Sequence, residues 1–259
     1  MGNAKKVNFK LISLLTILGV IGVIAIFPYQ ITVQAEFLQD DVVNVSTPVM
    51  LVVNALTMGG TLFILNFLAE RMLRRTGLGT PILNAMIHKK TIPPISLKWI
   101  IYGIGLSFVS VLIILLLDVF IFETKIDVLP PWWQGMLAIL YGGMTEELVA
   151  RFFVMTLIVW LLAKLTNKSH ENIPAAYFYI GIIGASLLFG LGHLPTTVQI
   201  FGEITALVVL RGLVLNGILG IWFGYLYWKK GLEYAMIAHM SADLFLHVIL
   251  GPIFYSLYN

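Results

Sequence analysis

Apolar runs about 20 residues long, the length needed to cross a bilayer as a helix, recur seven times in this sequence. They cover roughly Leu11–Phe27, Val49–Leu68, Trp99–Phe122, Trp132–Leu162, Ala175–Leu194, Ile204–Tyr227 and Leu232–Tyr255. Membrane strands would be half as long and would alternate apolar with polar residues. The runs therefore predict an all-α fold, a polytopic transmembrane helix bundle. Composition agrees, with 59% of the 259 residues hydrophobic and 11% charged, against about half and a quarter in a soluble domain. The absence of cysteine excludes disulfides, thiolate metal sites and a thiol nucleophile. No nucleic-acid signature appears, and membrane lipid is the expected surrounding.

The placement of lysine and arginine sets the expected orientation. With the N-terminus inside, segments 1–10, 71–98, 163–175 and 228–231 are cytoplasmic and hold 13 of the 16 basic residues, Arg74, Arg75, Lys89 and Lys230 among them. The outer loops carry Glu36, Asp40, Asp41, Glu123, Asp127 and Glu203 against Lys125 alone. The C-terminus is then outside. The first run, behind Lys5, Lys6 and Lys10, is read as an uncleaved helix; the alternative is a signal peptide cut near Val33-Gln34-Ala35. The chain reads as one integral membrane domain in two parts, 1–129 with the first helices and a polar connector, and 130–259 with the helical core.

Ionised groups are costly in lipid and by default face a protein interior or a wet cavity. The fourth run holds three of them, in Gly142-Gly143-Met144-Thr145-Glu146-Glu147-Leu148-Val149-Ala150-Arg151. Glu147 and Arg151 stand at i and i+4 and can pair on one helix face. Glu146 is turned about 100° away from Glu147, which leaves it free for chemistry. Spacing alone equally fits a buried ion cluster that only fixes helix packing.

The fifth run ends in Phe189-Gly190-Leu191-Gly192-His193, and the last holds His239, Asp243 and His247 at i, i+4 and i+8, on one helix face. Glutamate with histidine is a general-base pair or a ligand set. His193 falls near the outer end of its helix, while Glu146 and His239 fall nearer mid-membrane. Bringing them together requires tilt, or a break at Gly142-Gly143 or at Gly190-Leu191-Gly192.

Glu146-Glu147-xxx-Arg151, Phe189-xxx-His193 and His239-xxx-Asp243, in that order and on separate helices, resemble the three signatures of the CAAX-protease and bacteriocin-processing (CPBP, or Abi) intramembrane proteases. The resemblance covers about residues 130 to 250. It implies a glutamate endopeptidase with its active site inside the bilayer and a peptide or lipidated protein as substrate. Relatives remove the last three residues of prenylated proteins, process peptide precursors or confer immunity to a bacteriocin. By the resemblance, Glu146 and His193 activate water, Glu147 and Arg151 hold the helix, and Phe189 belongs to the second signature. His239 and position 243 then polarise the scissile carbonyl. Position 243 is asparagine in the eukaryotic prenyl-protein proteases; here Asp243 either donates as a neutral acid or accepts from His239, and the second is expected because i,i+4 spacing allows it.

No cofactor is expected. The alternative is zinc held by Glu146, His193, His239 and Asp243, although no His-Glu-x-x-His helix is present. His247 is expected to support or pack, and Arg211 to pair with a helix neighbour. The expected setting is the plasma membrane of a bacterium. The rival to the peptidase is a non-catalytic scaffold or self-immunity factor of the same fold. A transporter lacks support, since no paired broken helices appear in two matching halves.

Overall fold

The computed structural model describes residues 7–33, 46–124 and 129–258, and the side chains of all of these except 199–201. Lys5, Lys6, Gln34, Ala35, Glu36, Asp40, Asp41, Lys125 and Asp127, which carry part of the expected orientation and the alternative cleavage site, lie outside the described residues.

Among the described residues, seven helices are long and apolar enough to cross a membrane, and no strand occurs. The chain is an all-α integral membrane protein. Helix α1 spans Phe9–Val33 and α2 spans Thr47–Thr76. A short α3 (Pro81–Ile87) lies in the connector before α4 (Leu97–Phe120). Helix α5 runs Trp132–Leu165, followed by α6 (Ala175–Gly192), α7 (Leu194–Phe201), α8 (Ala206–Lys230) and α9 (Leu232–Tyr258).

Local chemistry sets the ends. Pro48 opens α2, and Gly77, with a φ of 71°, closes it by returning its amide to the Leu73 carbonyl. Thr205 caps α8 by accepting from the Val208 amide.

Leu56, Ile64, Phe108, Leu188 and Ile253 are exposed on the outer faces. In water such surfaces would associate; in lipid they are solvated. Helix α1 lies against α2 and the first half of α5, α8 lies along α6, and α9 lies against α4 and α8. Lipid tails provide no hydrophobic force between helices, so close packing and interhelical hydrogen bonds carry the association. At the α6–α8 seam a Cβ on Gly190 would come within 3.0 Å of the Gly212 carbonyl oxygen, so only hydrogen fits there.

Two polar features outside the expected site fix the bundle. The connector is tied to the start of α9 by three bonds: Leu232 N to Gly79 O at 3.0 Å, Leu83 N to Glu233 Oε1 at 2.8 Å, and Ser96 N to the Tyr234 hydroxyl at 2.8 Å. Arg211 pairs with Asp118 on the neighbouring helix α4. Its Nε and Nη2 donate to Asp118 Oδ1 and Oδ2 at 2.6 and 2.7 Å, and Thr124 and Tyr255 donate to the same carboxylate at 2.7 and 2.6 Å. Asp118 sits inside an apolar run, and the sequence reading did not single it out.

Candidate active site

Helix α5 is not regular where its charges lie. Over Tyr141–Glu146 and Leu148–Met155 its turns are π-helical, with hydrogen bonds reaching five residues back. Such widened turns are rare and occur often at functional sites. Their beginning coincides with Gly142-Gly143, where α9 comes against α5. A Cβ on Gly142 would run into the Asp243 carboxylate and stand 3.0 Å from His239 Nε2; one on Gly143 would run into Met240. Hydrogen at both positions allows the helix of His239 and Asp243 to lie on the helix of the two glutamates. On the other side, α6 stops at Gly192, and His193 lies at the junction with α7. The depth mismatch is met at both of the expected places, by a widened turn on α5 and a helix end at His193.

Glu146, Glu147, Arg151, Phe189, His193, His239 and Asp243 thus converge. They divide into a sealed half and an open half. In the sealed half, Glu147 and Arg151 are buried and 3.0 Å apart, as i,i+4 spacing suggested. That contact is an ion pair whose geometry falls short of a hydrogen bond, since Arg151 Nη1 finds no hydrogen-bond acceptor among the described residues. Arg151 Nη2 donates to the Gly220 carbonyl at 3.1 Å, and the guanidinium lies over Phe189 and Phe223, 5.1 and 5.3 Å from their centroids.

Glu147 has a second partner that i,i+4 reasoning could not see, because it lies 92 positions away. His239 Nδ1 stands 2.8 Å from Glu147 Oε1. A carboxylate only accepts, so this nitrogen carries the proton. His239 is also stacked on Phe223, with centroids 4.5 Å apart. The expected His239–Asp243 hydrogen bond is not formed: Nε2 and Asp243 Oδ1 are 3.7 Å apart.

The open half is Glu146 and His193. Their side chains are 18% and 34% exposed, against 0%, 1% and 5% for Glu147, Arg151 and His239. His193 Nδ1 donates to the Phe189 carbonyl at 2.8 Å, so in the neutral ring Nε2 offers a lone pair. That lone pair faces Glu146 Oε1 at 3.5 Å, and Glu146 Oε2 is 3.5 Å from His239 Nε2. Phe189 packs edge-on to His193, 4.5 Å between centroids, and joins the two halves.

Helix α1 braces this arrangement, a role the sequence did not announce. Thr145, next to Glu146, donates to the Gly19 carbonyl at 2.7 Å. Gly22 lies so close that a Cβ there would run into Thr145 Oγ1 and stand 2.9 Å from the Leu140 carbonyl oxygen. One turn and more along the same face, the Tyr29 hydroxyl is 3.2 Å from His247 Nδ1, which gives that histidine a packing partner.

Among the described residues no group of three or more histidine and carboxylate side chains forms a metal site. The four side chains considered for zinc meet as pairs at 3.5–3.7 Å. The Glu147–His239 bond would orient a zinc ligand as well as it orients a proton donor.

Residues 128–245 match a family model, that of the type II CAAX prenyl endopeptidases described as Rce1-like. No curated protein and no solved structure matches the chain. The matched segment contains every residue of the cluster, while α1, α2 and α4 lie outside it.

Proposed function

We propose, from the membership of residues 128–245 in the Rce1-like family, that this membrane protein is an intramembrane glutamate endopeptidase acting on a lipidated or otherwise membrane-associated peptide. The family implies a peptidase; the mechanism and the substrate are our reading. The observation that supports it most is the Glu146–His193 pair. Two acceptors face each other at 3.5 Å on the open side of the cluster, too far apart for a strong direct bond and lacking a proton between them in the neutral ring. Water, with two hydrogens, satisfies both.

In this reading the water held between Glu146 and His193 attacks the scissile carbonyl as Glu146 takes one of its protons. The carbonyl π pair moves onto oxygen. His239 can offer that oxyanion an N–H from Nε2 only as imidazolium, since its Nδ1 proton is engaged by Glu147. Glu146 and Asp243 stand 3.5 and 3.7 Å from Nε2, so neither holds its N–H in a good hydrogen bond. Preorganised donors of this kind lower barriers by about 3 kcal/mol. Collapse breaks the C–N bond, and the proton on Glu146 passes to the leaving amine. The second water proton leaves the new carboxyl group by way of His193, and Glu146 is again a carboxylate. Asp243, 3.7 Å from Nε2, is assigned to favouring the imidazolium form of His239 by its charge, while Glu147 orients the ring. Zinc, if bound by the four candidate side chains, would supply Lewis-acid activation of the same water.

A scaffold or immunity role would require no water-binding pair on the open side. The test is incubation of the detergent-purified chain with a peptide ending in a prenylated CAAX box, with mass-spectrometric detection of the released three-residue tail. Release that survives exhaustive chelation is expected. No release puts the scaffold reading in its place, and loss on chelation with recovery on added zinc makes the site a metal centre.

A further inference from the structure

At the end of the bundle where α2 and α8 terminate, a cleft of about 510 Å³ opens between them, α3 and the start of α1. It is separate from the peptidase residues: none of Glu146, His193, His239 or Asp243 lines it. Glu70 lines it and is only 8% exposed. Among the described residues its Oε2 finds no hydrogen-bond donor, and neither does Thr80 Oγ1, 3% exposed in the same wall, find a partner. A buried carboxylate oxygen without a donor costs its desolvation in full, a cost that a ligand bringing N–H donors relieves when the Glu70 side chain turns into the cleft. Arg74, Lys229 and Lys230 also line the cleft, and basic groups of that kind bind phosphate. The level is that of lipid headgroups. Lys229 lies over Trp228 and Lys230 over Trp99, at 3.3 and 4.9 Å, and tryptophan and basic residues gather at the membrane interface.

We propose that this cleft binds a primary ammonium joined to a phosphate, the headgroup of a phosphatidylethanolamine lipid, with the ammonium on Glu70 and the phosphate towards Arg74, Lys229 and Lys230. The volume suits such a headgroup, lying within the range of about 300–1,000 Å³ usual for small-molecule sites. Choline headgroups carry the same phosphate but no N–H, so Glu70 discriminates between them. A charge-assisted hydrogen bond at a buried acceptor corresponds to a preference of roughly tenfold.

The experiment is native mass spectrometry of the full chain in detergent with an equimolar mixture of dioleoyl phosphatidylethanolamine and dioleoyl phosphatidylcholine. The expected result is retention of the ethanolamine lipid over the choline lipid by roughly tenfold, reduced to parity in Glu70→Met, which keeps the length and removes the acceptor. The double change Lys229→Gln with Lys230→Gln should lower retention of both lipids and keep their ratio. Soluble phosphoethanolamine is the second arm: competition by it at millimolar concentration would make the free zwitterion, and not the lipid, the ligand. Equal retention of the two lipids by the unaltered chain overturns the proposal, and so does a preference that survives Glu70→Met in folded protein. Loss of the preference in Lys5→Gln with Lys6→Gln, and not in Glu70→Met, would overturn it equally.

Discussion

Among the described residues two carboxylate–arginine pairs lie within the bundle, each with a buried carboxylate, and they are built to opposite standards. Asp118 accepts four hydrogen bonds, two from Arg211 and one each from Thr124 and Tyr255, at 2.6–2.7 Å. The pair joins α4, α8 and α9, and both carboxylate oxygens are fully used. Glu147 and Arg151 share one helix and one ion-pair contact of 3.0 Å. Glu147 Oε2 and Arg151 Nη1 have no hydrogen-bond partner among the described residues, and the one strong bond Glu147 makes goes to a histidine that faces the open side of the site. The lesson is that a charge pair closed on itself holds helices together. The Glu147–Arg151 pair leaves valence unmet beside an open glutamate, as the proposed peptidase chemistry requires.

The comparison predicts its largest effect at Asp118. Asp118→Asn places an amide N–H₂ where two donors already point, and it strands Arg211. Breaking a buried pair costs roughly 3–5 kcal/mol, and the two donors left facing an N–H₂ put this change at the upper end. Thermal unfolding in detergent should show it, with cleavage per folded molecule unchanged. If cleavage per folded molecule falls with stability, the two clusters do not have separate roles.

Glu147→Gln should cost somewhat less stability, about 3 kcal/mol, because fewer bonds are lost. It should also lower turnover, since an amide at 147 no longer supplies the negative charge that favours the imidazolium form of His239. Adding Arg151→Met removes the stranded cation and should recover part of the stability but none of the turnover. Unfolding midpoints and turnover of the single and double variants separate the two effects, and recovery of both together would make Glu147 purely structural.

The smallest effect is expected at the brace on α1. Thr145→Val removes one buried hydrogen bond, worth about 1 kcal/mol, while keeping the shape. Turnover should fall with KM little changed, because only the placement of Glu146 is disturbed, and Thr145→Ser should restore it. A fall in KM and turnover alike in Thr145→Val would instead place α1 in substrate binding.

How much of this was legible in the sequence follows from how local each contact is. The seven spans were legible because length and apolarity are local properties, and the Glu147–Arg151 pair because i,i+4 neighbours share a helix face. The Glu147–His239 and Asp118–Arg211 contacts span 92 and 93 positions, and no periodicity reports them. Asp118 is a single charge near the end of an apolar run, and nothing in the sequence ties it to Arg211. The π turns of α5 leave no mark in an apolar pattern. Only Gly142-Gly143 pointed to them, as a place where the helix could deviate. The order of the three signatures joined Glu146, His193 and His239 into one site; spacing within any single helix could not. The His239–Asp243 bond was expected from i,i+4 geometry, and it is not formed: with Nδ1 held by Glu147 at 2.8 Å, the ring leaves Nε2 3.7 Å from Asp243.

The two adjacent glutamates are proposed to have different work, Glu146 on water and Glu147 on the helix and His239. Glu146→Gln tests it most directly, with cleavage of the prenylated peptide and the unfolding midpoint measured on the same preparation. Loss of a positioned base should lower turnover by about 10²–10⁴ while the midpoint stays at that of the unaltered chain, because Glu146 is the more exposed of the two and carries no ion pair with Arg151. Near-normal cleavage by Glu146→Gln, or a loss of stability as large as that of Glu147→Gln, would contradict the division.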